Sequence, residues 1–190
     1  MGRGDRDVSL VIPTLATERC VLRPFREDDV PALVELHSDR EVIRFLRPDG
    51  EPETSPRDAW EYIALHLGHW AMKGYGKWAL VDRTSDRLIG RVGFYDAPYE
   101  WPGCELGWTI MRRLWGQGYA TEGARVAMRW GFENIPTDEI VSAIHPDNVR
   151  SIKVAERLGE RLLRKGMDRT EESLIYGISR DEWRRNSMGA

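Results

Sequence analysis

Residues 105–134 read ELGWTIMRRLWGQGYATEGARVAMRWGFEN and contain three successive structural signals. An apolar run from Leu106 to Met111 predicts a short buried strand, and a loop containing Gly116 and Gly118 follows it. A helical pattern begins directly after the loop. Because glycine lacks a Cβ atom, the loop can bring its N–H groups close to a ligand, beside the unpaired N–H groups of the first helical turn. This combination favours an anion, most naturally a pyrophosphate.

Two well-known phosphate-binding turns fit the sequence less well. A P-loop requires Gly-Lys followed by Ser or Thr, and this triplet does not occur in the chain. A dinucleotide-binding turn requires G-x-G-x-x-G, and Thr121 stands where the last glycine should be. The next predicted strand, residues 139–144, ends in His145-Pro146 instead of an acidic residue, and too little chain follows to build the remaining strand–helix units.

The same turn resembles motif A of the GNAT acetyltransferase superfamily, [Q/R]-x-x-G-x-[G/A], which binds the pyrophosphate of acetyl-CoA. Gly118 and Ala120 match the motif, and Trp115 stands at its Gln/Arg position. Residues 115–122, WGQGYATE, are similar to the RimJ/RimL branch of ribosomal-protein N-terminal acetyltransferases and their relatives. The resemblance implies that the cofactor is bound by Trp115, Gly116, Gln117, Gly118, Tyr119, Ala120 and Thr121. Without the resemblance, these residues form a helix entry loop that merely contains two glycines.

A second segment resembles motif B of the superfamily, N-x-x-[A/S]-x-x-[V/L]-x-x-[K/R]-x-G-F. The matching residues are Asn148, Ser151, Val154, Arg157 and Gly159. There are two departures, since Ala155 stands where many relatives have a tyrosine general acid, and Glu160 replaces the final phenylalanine. The first departure is common in the RimJ/RimL branch, where a serine at the Ser151 position is thought to serve the thiol. The sequence offers no explanation for Glu160.

The resemblance also implies how the fourth and fifth strands handle the cofactor. In this family the two strands splay, the pantetheine arm lies between them, and a backbone N–H of the fourth strand faces the thioester oxygen. Ile110 and Met111 would then line the pantetheine through their backbone, with Asn148 on the same side. Gly107 is a weak residue for a strand interior, which predicts a bulge there.

Acyl transfer to an amine needs a base for the amine and a proton for the departing thiolate. Glu105, at the start of the fourth strand, is the candidate base and would act through one water. Ser151 is the candidate donor to the sulfur, and it also counts among the cofactor-binding residues. The alternatives are an ordinary acid at the strand edge and a serine that bonds the N–H groups of the first helical turn.

The order of elements predicts an α/β protein with a mixed sheet and helices on both faces. A helix is predicted between Ser55 and Gly74, a hairpin from residues 78–81 and 88–94, and an edge strand at residues 20–24. The GNAT-type fold implied by the resemblance has a mostly antiparallel central sheet of about six to seven strands, with strands 4 and 5 splayed. We expect a disordered segment at residues 1–9 and one acetyltransferase domain at residues 10–185.

Composition limits the classes of partner and compartment. The net charge is -3 and the charges are interspersed, so no field favours nucleic acid or an anionic membrane. Cys20 and Cys104 lack C-x-x-C spacing and no histidine pair has zinc-ligand spacing, so neither a disulfide framework nor a metal is expected. No apolar run approaches the roughly 20 residues that span a bilayer, and no signal-peptide core follows the charged start. We expect a cytoplasmic protein, either monomer or homodimer.

These observations predict an acetyl-CoA-dependent N-acetyltransferase that transfers acetyl to a primary amine by direct attack in a ternary complex. A protein or peptide N-terminus is the favoured acceptor. Small amines, namely a polyamine, an amino acid or an aminoglycoside, stay open, as does a non-catalytic acyl-CoA-binding regulatory module. A polycation would need clustered carboxylates, and the candidates Glu51, Glu53, Asp96 and Glu100 are scattered in the sequence.

Overall fold

Eight strands form one mixed sheet in the computed structural model, which describes residues 11–46, 51–52, 54–96, 103–168 and 171–188. The strands are β1 (Leu15–Ala16), β2 (Cys20–Arg23), β3 (Lys77–Asp82), β4 (Leu88–Tyr95), β5 (Glu105–Ile110), β6 (Glu139–Ile144), β7 (Arg161–Asp168) and β8 (Glu171–Ser179). The expectation for residues 1–9 and the candidates Glu53 and Glu100 fall outside the described residues.

The strand order is β1-β2-β3-β4-β5-β6-β8-β7, and every neighbouring pair except one is antiparallel. The exception is β5–β6, so the predicted mixed, mostly antiparallel sheet is confirmed. The count exceeds the expected six to seven strands, because residues 15–16 add a short strand that pairs with β2. The strand at residues 20–23 is therefore internal, and its prediction as an edge strand is wrong.

Six α-helices lie within the described residues and cover the two faces of the sheet. They are α1 (Val30–Ser38), α2 (Arg40–Ile43), α3 (Pro56–Lys73), α4 (Tyr119–Asn134), α5 (Val149–Leu158) and α6 (Arg180–Met188). The predicted ends of α3 are confirmed, since Ser55 accepts a hydrogen bond from the Arg57 N–H and Gly74 has a φ of 76°. The short α2 and the C-terminal α6 were not predicted.

Helix α4 approaches the sheet closely because small residues face it. Ala124 and Ala127 are fully buried, and a Cβ atom added to Gly131 would lie 2.3 Å from the Phe94 ring. Ala124, Ala127 and Gly131 thus form a small-residue face that allows close packing on the sheet. The close packing fixes the start of α4 relative to β4 and β5.

Two apolar clusters lie on opposite faces of the sheet. One contains Ala124 and Met128 of α4 with Val154 and Leu158 of α5, and the other contains residues of α1, α2 and α3. Since side chains alternate along a strand, Leu106, Trp108 and Ile110 of β5 face the α4–α5 side, whereas residues 105, 107, 109 and 111 face the α1–α3 side. The sheet thus separates the two clusters, and β5 contributes side chains to both faces.

Strands β5 and β6 are the fourth and fifth strands of the sequence prediction, and they pair only near their first residues. Their single registered pair is Glu105↔Val141, and the Val141 N–H donates to the Cys104 carbonyl oxygen at 3.0 Å. The strands separate after this point, so the predicted splay is confirmed. The predicted bulge at Gly107 is wrong, because the β4–β5 register runs without a shift from Gly90↔Ile110 to Tyr95↔Glu105.

Candidate active site

The turn before α4 has the backbone expected of an anion-binding loop. Gly116 and Gly118 have φ values of 76° and 86°, a region that side chains with a Cβ atom rarely adopt. A Cβ atom at Gly116 would meet nothing within 4 Å, so the backbone conformation and not crowding requires glycine there. Gly118 is the N-cap of α4 and provides no side-chain cap, and residues 116–118 are exposed. The N–H groups of the first turn, at residues 119–121, are therefore available to a phosphate group.

Trp115 holds this turn to the end of β5. Its indole Nε1 donates to the Ile110 carbonyl oxygen at 2.8 Å, which closes the loop on itself. The Arg150 guanidinium, from the first turn of α5, lies 4.5 Å from the centre of the indole ring. The replacement of the motif's Gln or Arg by Trp115 therefore has a physical explanation. The indole holds the turn to β5, and the Arg150 guanidinium contacts it from α5, across the gap between β5 and β6.

A network centred on Glu122 ties the turn to the N-terminal hairpin. The Glu122 carboxylate accepts hydrogen bonds from Thr17 Oγ1 at 2.6 Å and from the Arg19 backbone N–H at 2.9 Å, and it forms an ion pair with the Arg19 guanidinium at 2.5 Å. Arg19 also donates to the Gln117 carbonyl oxygen at 3.0 Å and lies 4.3 Å from the centre of the Tyr119 ring. Desolvation opposes ionisation of Glu122, but these bonds outweigh it and lower the pKa of the carboxyl.

The polar backbone edge of β5 is open toward β6. The Met111 N–H donates to the Ile89 carbonyl oxygen on β4, so by alternation the N–H groups of Trp108 and Ile110 point into the gap. The Ile110 and Met111 side chains are both buried. The Ile110 backbone N–H thus points into the gap, while the Met111 N–H is turned away from it.

Helix α5 crosses the gap and positions Asn148 and Ser151. Its Ile152 packs in the cluster that joins Trp108 of β5 to Ile144 of β6. The Asn148 side chain accepts a hydrogen bond from the Ser151 N–H at 3.2 Å and so caps the helix. The Ser151 hydroxyl forms no hydrogen bond with any residue in the described ranges. Asn148 therefore provides the cap, and the Ser151 hydroxyl is available to a ligand.

Glu105 lies at the point where β5 and β6 begin to separate. It is half-buried, pairs with Tyr95 of β4, and shares the α1–α3 face of β5 with Gly107 and Thr109. Within the described residues, a Cβ atom at Gly107 would meet only the Lys77 amine, at 4.0 Å. Among these residues, the α1–α3 face beside Glu105 is therefore uncrowded at Gly107.

Glu160, which replaces the final phenylalanine of motif B, is buried near the point where β5 and β6 begin to separate. Ser142 Oγ lies 2.8 Å from the Leu106 carbonyl oxygen and 3.1 Å from Glu160 Oε1. Because one hydroxyl proton cannot serve two acceptors, the contacts are satisfied when a protonated Glu160 donates to Ser142 and Ser142 donates to Leu106. Desolvation, helped by the charge of Glu105, raises the pKa of Glu160 to about 8.

Three side chains of this site could not be identified from the sequence. Arg19 is 98 positions before Gln117, the residue of the turn that it contacts. Arg150 occupies a variable position of motif B, and Ser142 lies in a mostly apolar strand. The motif B departure at Glu160 was the only sequence signal that pointed to the buried pair.

Among the residues that the structure describes, no helix combines the length and apolar character needed to cross a bilayer. In the same ranges, no group of three or more His, Cys, Asp or Glu side chains could hold a metal ion.

An exposed glycine turn at an uncapped helix N-terminus, beside a gap in the sheet, suits a phosphate-bearing ligand with a long extended arm. This is the class of the acyl-CoA-dependent transferases. The family model described as "Acetyltransferase (GNAT) domain" matches residues 19–161. The chain therefore belongs to the GNAT acetyltransferase family and is an acyltransferase.

Comparison with individual proteins supports this assignment over most of the chain. The chain is 29% identical to "Uncharacterized N-acetyltransferase p20" of Bacillus licheniformis, over 90% of this chain and 98% of p20. The crystal structure of the acetyltransferase from Agrobacterium tumefaciens strain C58 is 32% identical, with a TM-score of 0.77 over 88% of this chain and 95% of that one. RimL, a ribosomal L7/L12 alpha-N-protein acetyltransferase solved in complex with coenzyme A, shares the fold at 16% identity, with a TM-score of 0.74 over 88% and 98% of the two chains.

Proposed function

We propose that this protein acetylates the α-amine of a peptide or protein N-terminus with acetyl-CoA, by direct attack of the amine in a ternary complex. The observation that carries the proposal is the exposed turn at residues 116–118, which leads into an uncapped helix beside the β5–β6 gap. The name of RimL, which shares the fold, contains both an alpha-N-protein acceptor and coenzyme A. The RimJ/RimL-like motif at residues 115–122 supports the same branch.

The proposed cofactor site uses the turn for the pyrophosphate and the gap for the pantetheine arm. Residues 119–121 provide N–H groups and the partial positive charge of the α4 N-terminus. The Ile110 N–H on the open edge of β5 is suited to an amide of the arm, and Asn148 and Ser151 lie on α5 across the gap. The side chains of Trp115 and Tyr119 form the sides of the turn and hold Arg150 and Arg19, respectively.

The proposed reaction consists of one addition and one elimination. The amine nitrogen attacks the thioester carbonyl carbon, the proton of the amine passes through water to Glu105, and a backbone N–H of β5 binds the oxyanion. The C–S bond then breaks, the carbonyl re-forms, and the thiolate takes a proton from water, either from a water that Ser151 holds or through the Ser151 hydroxyl, which regains its proton from solvent. Both side chains lie at elements that border the gap, Glu105 where β5 begins and Ser151 in the first turn of α5.

The charges near the proposed acceptor face favour a peptide over a polycation. Lys77 and Arg91 both lie on the α1–α3 face of the sheet, where they would repel a polyamine. Asp96 is engaged by the Lys73 amine at 3.0 Å and by the Tyr75 hydroxyl at 2.9 Å. The described carboxylates thus form no cluster that would attract several ammonium groups.

The proposal is tested by an acetylation screen that offers N-terminal peptides, polyamines, amino acids and aminoglycosides side by side with acetyl-CoA. We expect turnover of peptides with a free α-amine and none of the same peptides with a blocked α-amine. Turnover confined to the small amines would refute the peptide acceptor. Binding of acetyl-CoA without turnover of any amine would favour the non-catalytic module instead.

A further inference from the structure

Arg91 of β4 is a buried cation with no anionic partner. Arg91 is only 8% exposed. It forms no hydrogen bond or ion pair with any residue within the described ranges. Its Nε is fully buried without a hydrogen-bond partner. The guanidinium lies against the Tyr62 ring, whose centre is 4.8 Å away. A buried guanidinium without a counter-charge is costly, so its retention needs a reason outside the folded chain alone.

Thr109 of β5 lies directly beside Arg91 and is in the same situation. The two residues are registered partners on adjacent strands, so their Cβ atoms are about 5 Å apart on the α1–α3 face. Thr109 is 6% exposed, and its Oγ1 is buried without a hydrogen-bond partner. Two adjacent side chains thus offer unused hydrogen-bond donors toward one place, which suits an anionic oxygen.

The other titratable groups around this place do not neutralise Arg91. His66 of α3 is buried, and desolvation together with the charges of Lys77 and Arg91 lowers its pKa, so it is uncharged. Its Nδ1 has no hydrogen-bond partner. His37 and Tyr62 border the same space, since the Tyr62 ring contacts both histidine rings. Lys77 adds a second positive charge on this face.

The facing pair Gly93 and Gly107, which we call the glycine floor, lies between the Arg91–Thr109 pair and Glu105, the proposed base. Gly93↔Gly107 is the next facing pair on this side of β4 and β5, and Tyr95↔Glu105 is the one after it. Among the described residues, the Lys77 amine is the single group within 4 Å of the missing Cβ of Gly107. Successive same-face residues on a strand are about 7 Å apart, so an amine near Gly107 lies about one such step from the Arg91–Thr109 pair.

Resting on the proposed function, we propose that Arg91 and Thr109 bind a carboxylate of the acceptor, so that the preferred acceptors are N-terminal peptides with an acidic second residue. Two extended residues span about 7 Å, which matches the separation between the floor and the pair. The carboxylate supplies the missing counter-charge of Arg91 and accepts the Thr109 hydroxyl. The same chemistry is available from the free C-terminal carboxylate of a dipeptide, so both sources enter the test.

The test measures kcat/KM for amidated pentapeptides that differ only at position 2, as Glu, Gln or Lys, and for one dipeptide with a free or an amidated C-terminus. A charge-assisted bond to a buried guanidinium predicts a preference of about tenfold or more for Glu over Gln in the wild-type protein, expressed mainly in the peptide KM. A preference for the free over the amidated dipeptide, without one for Glu in the pentapeptides, would overturn the second-residue assignment in favour of a terminal carboxylate.

Arg91→Gln should remove the preference, so that the Glu and Gln peptides react alike, while Thr109→Val should reduce it by only a few-fold, as expected for a neutral donor. Arg129→Gln, an exposed arginine on α4, is the matched control and should retain the wild-type ratio. Because Arg91→Gln removes an unpaired buried charge, its melting temperature should not fall, and calorimetry should give wild-type acetyl-CoA affinity.

A wild-type ratio near one, or an unchanged ratio in Arg91→Gln, would overturn the carboxylate subsite while leaving the proposed peptide acetyltransferase intact. Turnover of no peptide at all would overturn both the proposed function and this inference.

Discussion

The buried carboxyl of Glu160 predicts a specific dependence of stability on pH. Its pKa is raised from an ordinary value of 4.5 to about 8 because the side chain is desolvated. Below about pH 4.5 the group is protonated in both the folded and the unfolded chain and has no effect. As the pH rises from about 4.5 to about 8, the unfolded chain loses this proton while the folded chain retains it, so the free energy of unfolding falls. Above about pH 8 both forms are ionised and the loss is complete.

The size of this effect follows from the interval between the two pKa values. At 1.36 kcal/mol per unit, an interval of about 3.5 units corresponds to a loss on the order of 5 kcal/mol by pH 8. Since 1 kcal/mol moves the melting temperature of a chain of this size by about 2–4 °C, the loss is roughly 10 °C or more. Glu160→Gln is neutral at every pH and still has an amide that can donate to Ser142.

The assay is thermal unfolding of the wild-type protein and Glu160→Gln between about pH 5 and 9. We expect the difference in melting temperature between the two proteins to grow with pH in favour of Glu160→Gln and to level off above about pH 8. Glu156→Gln, an exposed acid on α5, is the control and should follow the wild-type profile. Parallel profiles for Glu160→Gln and the wild type would refute the protonated Glu160–Ser142 pair.

Three further variants test the reacting groups and the turn. Glu105→Gln should lower kcat with little change in acetyl-CoA affinity and flatten the alkaline rise of the rate between about pH 6 and 9, and a wild-type kcat across that range would exclude Glu105 as the base. Ser151→Ala should lower kcat only modestly in the same assay, and an unchanged kcat would leave the sulfur to be protonated by water. Trp115→Phe keeps a ring for Arg150 but loses the 2.8 Å bond to Ile110, so calorimetry should show acetyl-CoA affinity weakened by about 1 kcal/mol, and wild-type affinity would contradict the role of that bond.

Local signals in the sequence were sufficient for most of the fold. The Ser55 cap and Gly74 terminator depend on interactions within a few residues, and both were predicted. The splay of β5 and β6 followed from the resemblance and is visible in their single registered pair. By contrast, Leu15–Ala16 is a two-residue strand whose pairing with β2 leaves no periodic pattern. The continuous β4–β5 register shows that Gly107 does not mark a bulge.

The site was less predictable, because its side chains come together through tertiary contacts. Arg19 and Glu122 are 103 positions apart, and Ser142 of β6 meets Glu160, at the end of α5, across 18 positions. Arg91 reads in the sequence as an ordinary polar residue of a half-exposed strand. Only the position of α1 and α3 over β4 shows that it is buried and unpaired.

Isothermal titration of acetyl-CoA against Gly118→Asp tests the central claim most directly. The new carboxylate would occupy the place of a phosphate oxygen, and because a Cβ atom at this position lies 3.4 Å from Arg19 Nη2, it would also compete for that cation. Gly74→Asp is the matched control, since Gly74 has a similar φ of 76°, has nothing within 4 Å of its missing Cβ, and terminates α3. We predict saturable binding for the wild type and Gly74→Asp and none for Gly118→Asp. An unchanged titration curve for Gly118→Asp would contradict the assignment of this turn as the pyrophosphate site.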